Sequence, residues 1–320
     1  GLAGMRPPER RSRAGLWRRK STITSALLRW YRNCGRDLPW RDEHDPYRVV
    51  VSEVMLQQTQ VSRVLLKYPI FLKRFPTLEK LARAKASDVI RAWQGMGYNN
   101  RALRLRLLAK AVAHRFKGKL PRDVAELQNL PGIGRYTAHA VSCFAFGNQV
   151  TVVDTNVARL LSRLFPEKIA SKLCKRTDPR RVWEIAEWIL PGRRAYEWNQ
   201  ALMDLGATIC TARTPKCGVC PLKSYCPSAH CTREQRITGS TREPGRDGLP
   251  NRIYRGRVVE VLRNLNGRKS IDVRNLARKI KPDYDGNDGR WFKRLLRSLE
   301  RDGLVRLRTA ASTQRVSLPD

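Results

Sequence analysis

Apolar residues in this chain recur at three- and four-residue spacing along most of its length, the pattern of helices that bury one face. Ile23, Leu27, Leu28 and Tyr31 open it, and it runs from Ser21 to a break at Gly35. Asp45-Pro46 makes a turn, and Tyr47 to Gln60 reads as one long buried helix. Amphipathic stretches follow at 64–75, 78–84, 87–94, 101–116, 124–129, 135–146, 156–165, 179–190 and 197–209. Pro76, Gly95, Pro121, Pro131 and Pro191 punctuate them, as residues that end helices should. Strand-like alternation is almost absent before residue 300. The expected fold class is therefore mainly α, with no internal repeat.

The ends differ. Residues 1–20 hold seven basic residues and one acidic, with no periodicity, and read as a disordered basic arm. Residues 231–250 have the polar composition of a linker. Beyond it, helices are expected at 253–264, 271–280 and 290–301, then short strands at 304–307 and 315–318. Three helices followed by a hairpin is the order of a winged helix, so 251–320 reads as a small winged-helix-like α+β module.

Composition narrows the partner. The 320 residues carry 64 Lys plus Arg against 28 Asp plus Glu, a formal charge of +36. Of this, +6 lies in the first 20 residues and +11 in residues 231–320. Such an excess points to a polyanion, nucleic acid or an anionic membrane surface. Hydrophobic residues at 41% and eight Trp argue against a disordered chain. No apolar run reaches a membrane span, and the Arg-rich start lacks the apolar segment of a secretory signal. A transit peptide stays open, although Glu9 counts against it.

Four of the eight cysteines, Cys210, Cys217, Cys220 and Cys226, form C-x6-C-x2-C-x5-C. That spacing is too compact and irregular for a zinc ribbon, and four thiolates wrapping a [4Fe–4S] cluster fit better, with zinc the alternative. Arg213, Lys216 and Lys223 interleave with the ligands. Cys34, Cys143, Cys174 and Cys231 are scattered, and His44, His114, His139 and His230 show no ligand spacing.

Three further segments carry chemistry. In Leu130-Pro131-Gly132-Ile133-Gly134, the two glycines allow a tight hairpin whose N–H groups, with the next helix's N-terminus, suit a phosphate. The same residues also read as an ordinary helix–helix turn. Asp154 follows an apolar stretch and opens a helix, where an N-cap carboxylate has its charged form stabilised. Glu53 lies in the apolar run Val49–Leu56. Burial there raises a carboxyl pKa and suits proton donation; exposure on an otherwise buried helix is the alternative.

Together, the GIG hairpin, an Asp twenty residues later and the cysteine tail resemble the helix-hairpin-helix (HhH-GPD) DNA glycosylases of the endonuclease III superfamily. The nearest branch is the MutY-type adenine DNA glycosylases. Supporting segments are Arg36-Asp37-Leu38-Pro39-Trp40-Arg41, Pro46-Tyr47, Ser52 to Val61 (SEVMLQQTQV), Gly95-Met96-Gly97-Tyr98 and Trp198 to Ala207, so the likeness spans about residues 22–228. It implies a two-lobed helical fold. One lobe, from 21–45 and 147–230, holds the iron–sulfur loop, and a six-helix barrel at 46–146 carries the hairpin at about 126–146.

The resemblance also implies roles. Glu53 matches the acid that protonates the departing adenine, and Asp154 the carboxylate that stabilises the oxocarbenium-like sugar. Tyr136 stands where strand-cutting members carry a Schiff-base lysine, so a monofunctional enzyme is expected. Asn156 matches an asparagine beside the catalytic Asp. Arg36, Trp40, Arg41 and Gln200 match positions lining the adenine pocket, Gln58 and Tyr98 those that wedge into the base stack. The implied partner is double-stranded DNA with a mispaired base, bound by a monomer. The location would be cytoplasmic or nucleoid-associated in a bacterium or archaeon, with organelle and nucleus left open.

Departures matter. The family's usual Gly-Tyr-Tyr is Gly97-Tyr98-Asn99 here, and its Asp-Gly-Asn is Asp154-Thr155-Asn156. The winged-helix-like segment stands in place of the NUDIX-like domain that recognises 8-oxoguanine. Two other readings therefore stand beside excision of adenine opposite 8-oxoguanine or guanine. One is a thymine or uracil glycosylase acting opposite guanine, and the other a non-catalytic iron–sulfur DNA-binding regulator.

Overall fold

The computed structural model describes residues 7–166, 178–229, 243–265, 269–310 and 313–320, with side chains from Arg19 onward. Cys174, Cys231, His230 and most of the expected linker lie outside the described residues. The chain divides into two compact units, one of residues 1–44 with 134–236, the other of 45–133 with 237–320. No described helix is long and apolar enough to cross a membrane.

The first unit contains α1 (Pro7–Cys34), α8 (Arg135–Phe144), α9 (Thr155–Leu164), α10 (Pro179–Ile189) and α11 (Ala195–Thr208). Its core joins Ile23, Leu27 and Leu28 of α1 to Leu160 and Leu161 of α9, Ile189 of α10 and Trp198 and Leu202 of α11. Helix α1 starts at Pro7, where a disordered arm was expected through residue 20. The reason is local. Prolines are tolerated in a first turn, and the Glu, Arg, Ala and Leu that follow are good helix formers.

The second unit contains α2 (Pro46–Leu56), α3 (Val61–Arg74), α4 (Leu78–Arg83), α5 (Ala86–Ala92), α6 (Asn100–Arg115) and α7 (Val124–Gln128). Asp45 caps α2, its carboxylate accepting from the N–H groups of Tyr47 and Arg48. The helix stops at Leu56, short of the expected Gln60.

The C-terminal segment belongs to this second unit. Part of the expected linker is a hairpin, β1 (Gly245–Arg246) against β2 (Leu249–Pro250), turned by Asp247 and Gly248 at positive φ. That Asp-Gly pair is a tight-turn signal which the polar composition masked. Then come α12 (Asn251–Arg263), β3 (Ile271–Asp272), α13 (Val273–Ile280), α14 (Gly289–Arg301), β4 (Arg306–Ala310) and β5 (Thr313–Ser317). The antiparallel sheet has the order β3-β5-β4, with Ile271 opposite Val316 and Arg308 opposite Arg315. Three helices with this sheet form a winged helix; the two-residue β3 was invisible to periodicity.

The module shares a core with the helices before it. Ile90 of α5 and Leu103 of α6 pack in one cluster with Tyr254, Val258 and Leu262 of α12. Arg263 donates to the Ile90 carbonyl at 2.8 Å and to Asn99 Oδ1 at 2.8 Å.

Candidate active site

Glu53, Gln58, Tyr98 and Gly132 belong to the second unit; Arg36, Trp40, Arg41, Gly134, Tyr136, Asp154, Asn156, Gln200 and the four cysteines belong to the first.

In the second unit, Glu53 is 4% exposed on α2 among Val49, Val50, Val51 and Val54. The solvent-facing alternative is therefore excluded. Gln58 and Tyr98 stand on two loops and are exposed, Tyr98 at 48%. Both have left-handed backbones, φ 53° and 42°, a strain of about 1–3 kcal/mol each for non-glycine residues. What holds them is Arg101, which pattern reading passed over. Its guanidinium, in a residue 5% exposed, donates to the carbonyls of Val54, Met55 and Gln57 and to Thr59 Oγ1 on one loop. It donates equally to the carbonyls of Met96 at 3.0 Å and Gly97 at 3.2 Å on the other. One side chain thus satisfies the open carbonyl end of α2 and fastens both loops, which explains why the helix stops there. Burial pushes the Arg101 pKa down to about 10, so it stays a cation at neutral pH. A signal was present: Arg101 shares the apolar stripe of Leu105 and Leu108.

Gly132 has φ 79°, and a Cβ there would lie 2.9 Å from Arg104 Cβ, so only glycine fits. In the first unit, Gly134 precedes α8 with no side-chain cap, leaving the helix's first N–H groups unmasked by its own residues. Tyr136 is half-buried in that first turn.

Asp154 caps α9, Oδ1 accepting from Val157 N at 2.6 Å and Oδ2 from Asn156 Nδ2 at 3.0 Å. Burial pushes its pKa above the ordinary aspartate value, while these donors and Arg159 pull the other way. The expected charge stabilisation by the cap is therefore present but outweighed. Asn199 of α11 holds the preceding segment, accepting from Val152 N at 3.0 Å and donating to the Val150 carbonyl at 2.9 Å. Arg159 joins Asn156 Oδ1 at 3.0 Å to the Cys210 carbonyl at 2.9 Å, so the Asp154 cap and the cysteine loop share one hydrogen-bonded chain.

Arg36 and Arg41 converge on Asp204 of α11, which is wholly buried. Arg41 donates to its two oxygens at 2.8 and 2.6 Å, while Arg36 donates to Oδ1 through Nε at 2.7 Å and to Oδ2 through its backbone N–H at 2.8 Å. Burial pushes the Asp204 carboxyl up, yet the hydrogen bonds from Arg41 and Arg36 overcome this and hold it below the ordinary range. The resemblance implies that these two arginines line a base pocket; their guanidinium groups pair with Asp204, a residue the sequence did not single out. Trp40 and Gln200 are buried in the same unit.

Cys210, Cys217, Cys220 and Cys226 are free thiols at intermediate burial. Burial pushes Cys220 up to about 11, Leu222 N–H opposes it, and the other three thiols add to it, so the four sense one another. Arg163 donates to Cys210 Sγ at 3.3 Å. Among the described residues no three His, Cys, Asp or Glu group tightly enough for one ion. By donor chemistry, four thiols on one short segment with a guanidinium beside one of them fit a [4Fe–4S] cluster, whose binding would draw off their protons.

A family profile described as "HhH-GPD superfamily base excision DNA repair protein" matches residues 51–178, and one described as "Iron-sulfur binding domain of endonuclease III" matches 210–226. The adenine DNA glycosylase of Mycobacterium tuberculosis is 42% identical over 248 residues, 74% of this chain and 77% of the relative. That of Mycolicibacterium smegmatis is 39% identical over 291 residues, 87% of this chain and 91% of the relative. Among solved structures, a thermostable thymine-DNA glycosylase superposes with TM-score 0.61 at 31% identity, covering 66% of this chain and 96% of its own.

Proposed function

Because the chain belongs to the HhH-GPD base excision DNA repair superfamily, alongside its adenine DNA glycosylases, we propose that it hydrolyses the N-glycosidic bond of adenine mispaired in duplex DNA. The observation that carries the chemistry is Glu53, a carboxylic acid shielded from water on an apolar helix. In this reading the base is extruded from the stack before reaction. Glu53 gives a proton to adenine N7 as the bond from N9 to the sugar C1′ breaks. The Asp154 carboxylate stabilises the resulting oxocarbenium-like sugar, and water adds at C1′ as its proton passes to the Glu53 carboxylate, which restores the acid. Tyr136 offers no amine, so no Schiff base forms and the backbone is left uncut.

Gln58 and Tyr98, locked through Arg101, fill the space the base vacates. Trp40 and Gln200 contact the base, and Arg36 and Arg41 fix the pocket wall through Asp204. Gly132 and the open start of α8 after Gly134 take backbone phosphates. Cys210, Cys217, Cys220 and Cys226 would hold the [4Fe–4S] cluster as thiolates, and the cluster would cross-link residues 210–226. The exposed Arg213, Lys216 and Lys223 then face the DNA. The enzyme acts as a monomer, opposite 8-oxoguanine or guanine.

The likeness to a thymine-DNA glycosylase favours thymine opposite guanine as the second reading. Single-turnover base release from duplexes with A opposite 8-oxoguanine, A opposite G, T opposite G and U opposite G separates the two. Adenine is expected from the first two; thymine or uracil without adenine overturns the proposal.

Asn156→Ala tests the Asp154 assignment through pH. The anion is the working form, so activity falls as pH drops through the Asp154 pKa. Removing the Asn156 donor withdraws support from the anion and raises that pKa. The acid limb of the single-turnover pH profile should therefore move to higher pH, with the plateau less affected. A limb that stays in place argues against Asp154.

A further inference from the structure

We propose that the exposed face of α14 is a second duplex-DNA surface, separate from the residues that handle the extruded base. In the winged helix, α13 and α14 form the helix-turn-helix pair, and the second helix of such a pair is the one that lies in the major groove. Arg290, Lys293, Arg294, Arg297 and Arg301 are all exposed. At about 100° per residue they fall within a single arc of about 100°, opposite the buried Trp291, Phe292, Leu295, Leu296 and Leu299. The stripe is about 16 Å long at 1.5 Å per residue, the rise of about five base pairs.

A solvated helix face ordinarily mixes both signs of charge. Here the acids of the module are occupied elsewhere. Asp288 and Asp283 pair with Lys281, Asp302 with Arg255, Glu260 with Arg263 and Asp320 with Arg306. Glu300, at the edge of the arc, accepts from Leu307 N at 2.9 Å. None of the five cations of the stripe forms an ion pair with another described residue. Five uncompensated cations on the docking helix of a DNA-reading fold are complementary to a phosphate backbone. The shared core with α5 and α6 fixes this surface to the body that carries Gln58 and Tyr98.

The test uses the full chain and an undamaged duplex, so its result is independent of which base is excised. Lys293→Gln/Arg294→Gln/Arg297→Gln is compared with the parent by anisotropy across a salt series and by hydroxyl-radical footprinting. Every phosphate that a cation no longer neutralises lowers the slope of log affinity against log salt by about 0.9. A fall of about 2 to 3 is therefore expected, with affinity down about tenfold or more. The footprint should shorten by about five base pairs. An unchanged slope and footprint overturn the proposal. So does an equal loss from Lys110→Gln/Lys117→Gln/Lys119→Gln, exposed cations outside the module, because that outcome reports net charge alone.

Discussion

Glu53→Gln is expected to reduce single-turnover adenine release by about 10²–10⁴-fold, the range for loss of a positioned general acid. The change is nearly isosteric. It keeps the volume of a side chain that is 4% exposed on α2 and removes only the transferable proton. A neutral amide replaces a neutral acid of nearly the same shape, so the fold should persist. Duplex affinity, measured by anisotropy on the same preparation, should stay within a few-fold of the parent. The combination matters, since lost excision with lost binding would indicate a damaged interface. Near-normal release by Glu53→Gln would remove Glu53 from the mechanism.

Asp204→Asn should lower the melting temperature by roughly 10 °C or more. The carboxylate is fully buried between the guanidinium groups of Arg41, itself 8% exposed, and Arg36. Breaking a buried pair from one side strands the opposite charge, a cost of about 3–5 kcal/mol. At about 2–4 °C per kcal/mol for a chain of this size class, that gives the stated shift. The pH dependence carries the sign. Asp204 has a depressed pKa in the folded protein, so its contribution is complete above the ordinary aspartate value and disappears as pH falls through the folded one. Parent and Asp204→Asn should therefore differ most near neutral pH and converge on acidification. A constant difference across that range would mean that the charge of Asp204 is not what the site requires. Weakened base release should accompany the lost stability, because Trp40 lies between the two arginines in the chain.

Much of this organisation was legible from residues in order. Among the described residues, helix positions through 209 followed from apolar spacing, and the cysteine spacing pointed to the iron–sulfur segment that the family profile matches at 210–226. Glu53 stands in a run of valines, where a carboxylate is either buried or turned outward, and the structure buries it. The winged helix could be read from three amphipathic segments and a terminal pair of strands. Charge predicts an arm at 1–20, but intrinsic propensity governs a helix that begins at Pro7. Polarity predicts a linker at 231–250, but Asp247-Gly248 closes a hairpin that two residues on each side suffice to form.

The sequence by itself determined the family, the helical class and the iron–sulfur loop, because each rests on residue type and local spacing. Tertiary structure alone decided which charges are available. Arg36, Arg41 and Arg101 look alike in a chain with 64 basic residues, and nothing local distinguishes them from the cations of α14. The difference is what each meets on burial. Arg36 and Arg41 meet Asp204, and Arg101 meets a set of loop carbonyls. Charge in a folded protein is free only where no long-range partner and no desolvation claims it, and those partners lie more than 160 residues away for Arg36 and Arg41 and more than 40 for Arg101 on its α2 side. Local pattern cannot encode such distances; packing supplies them.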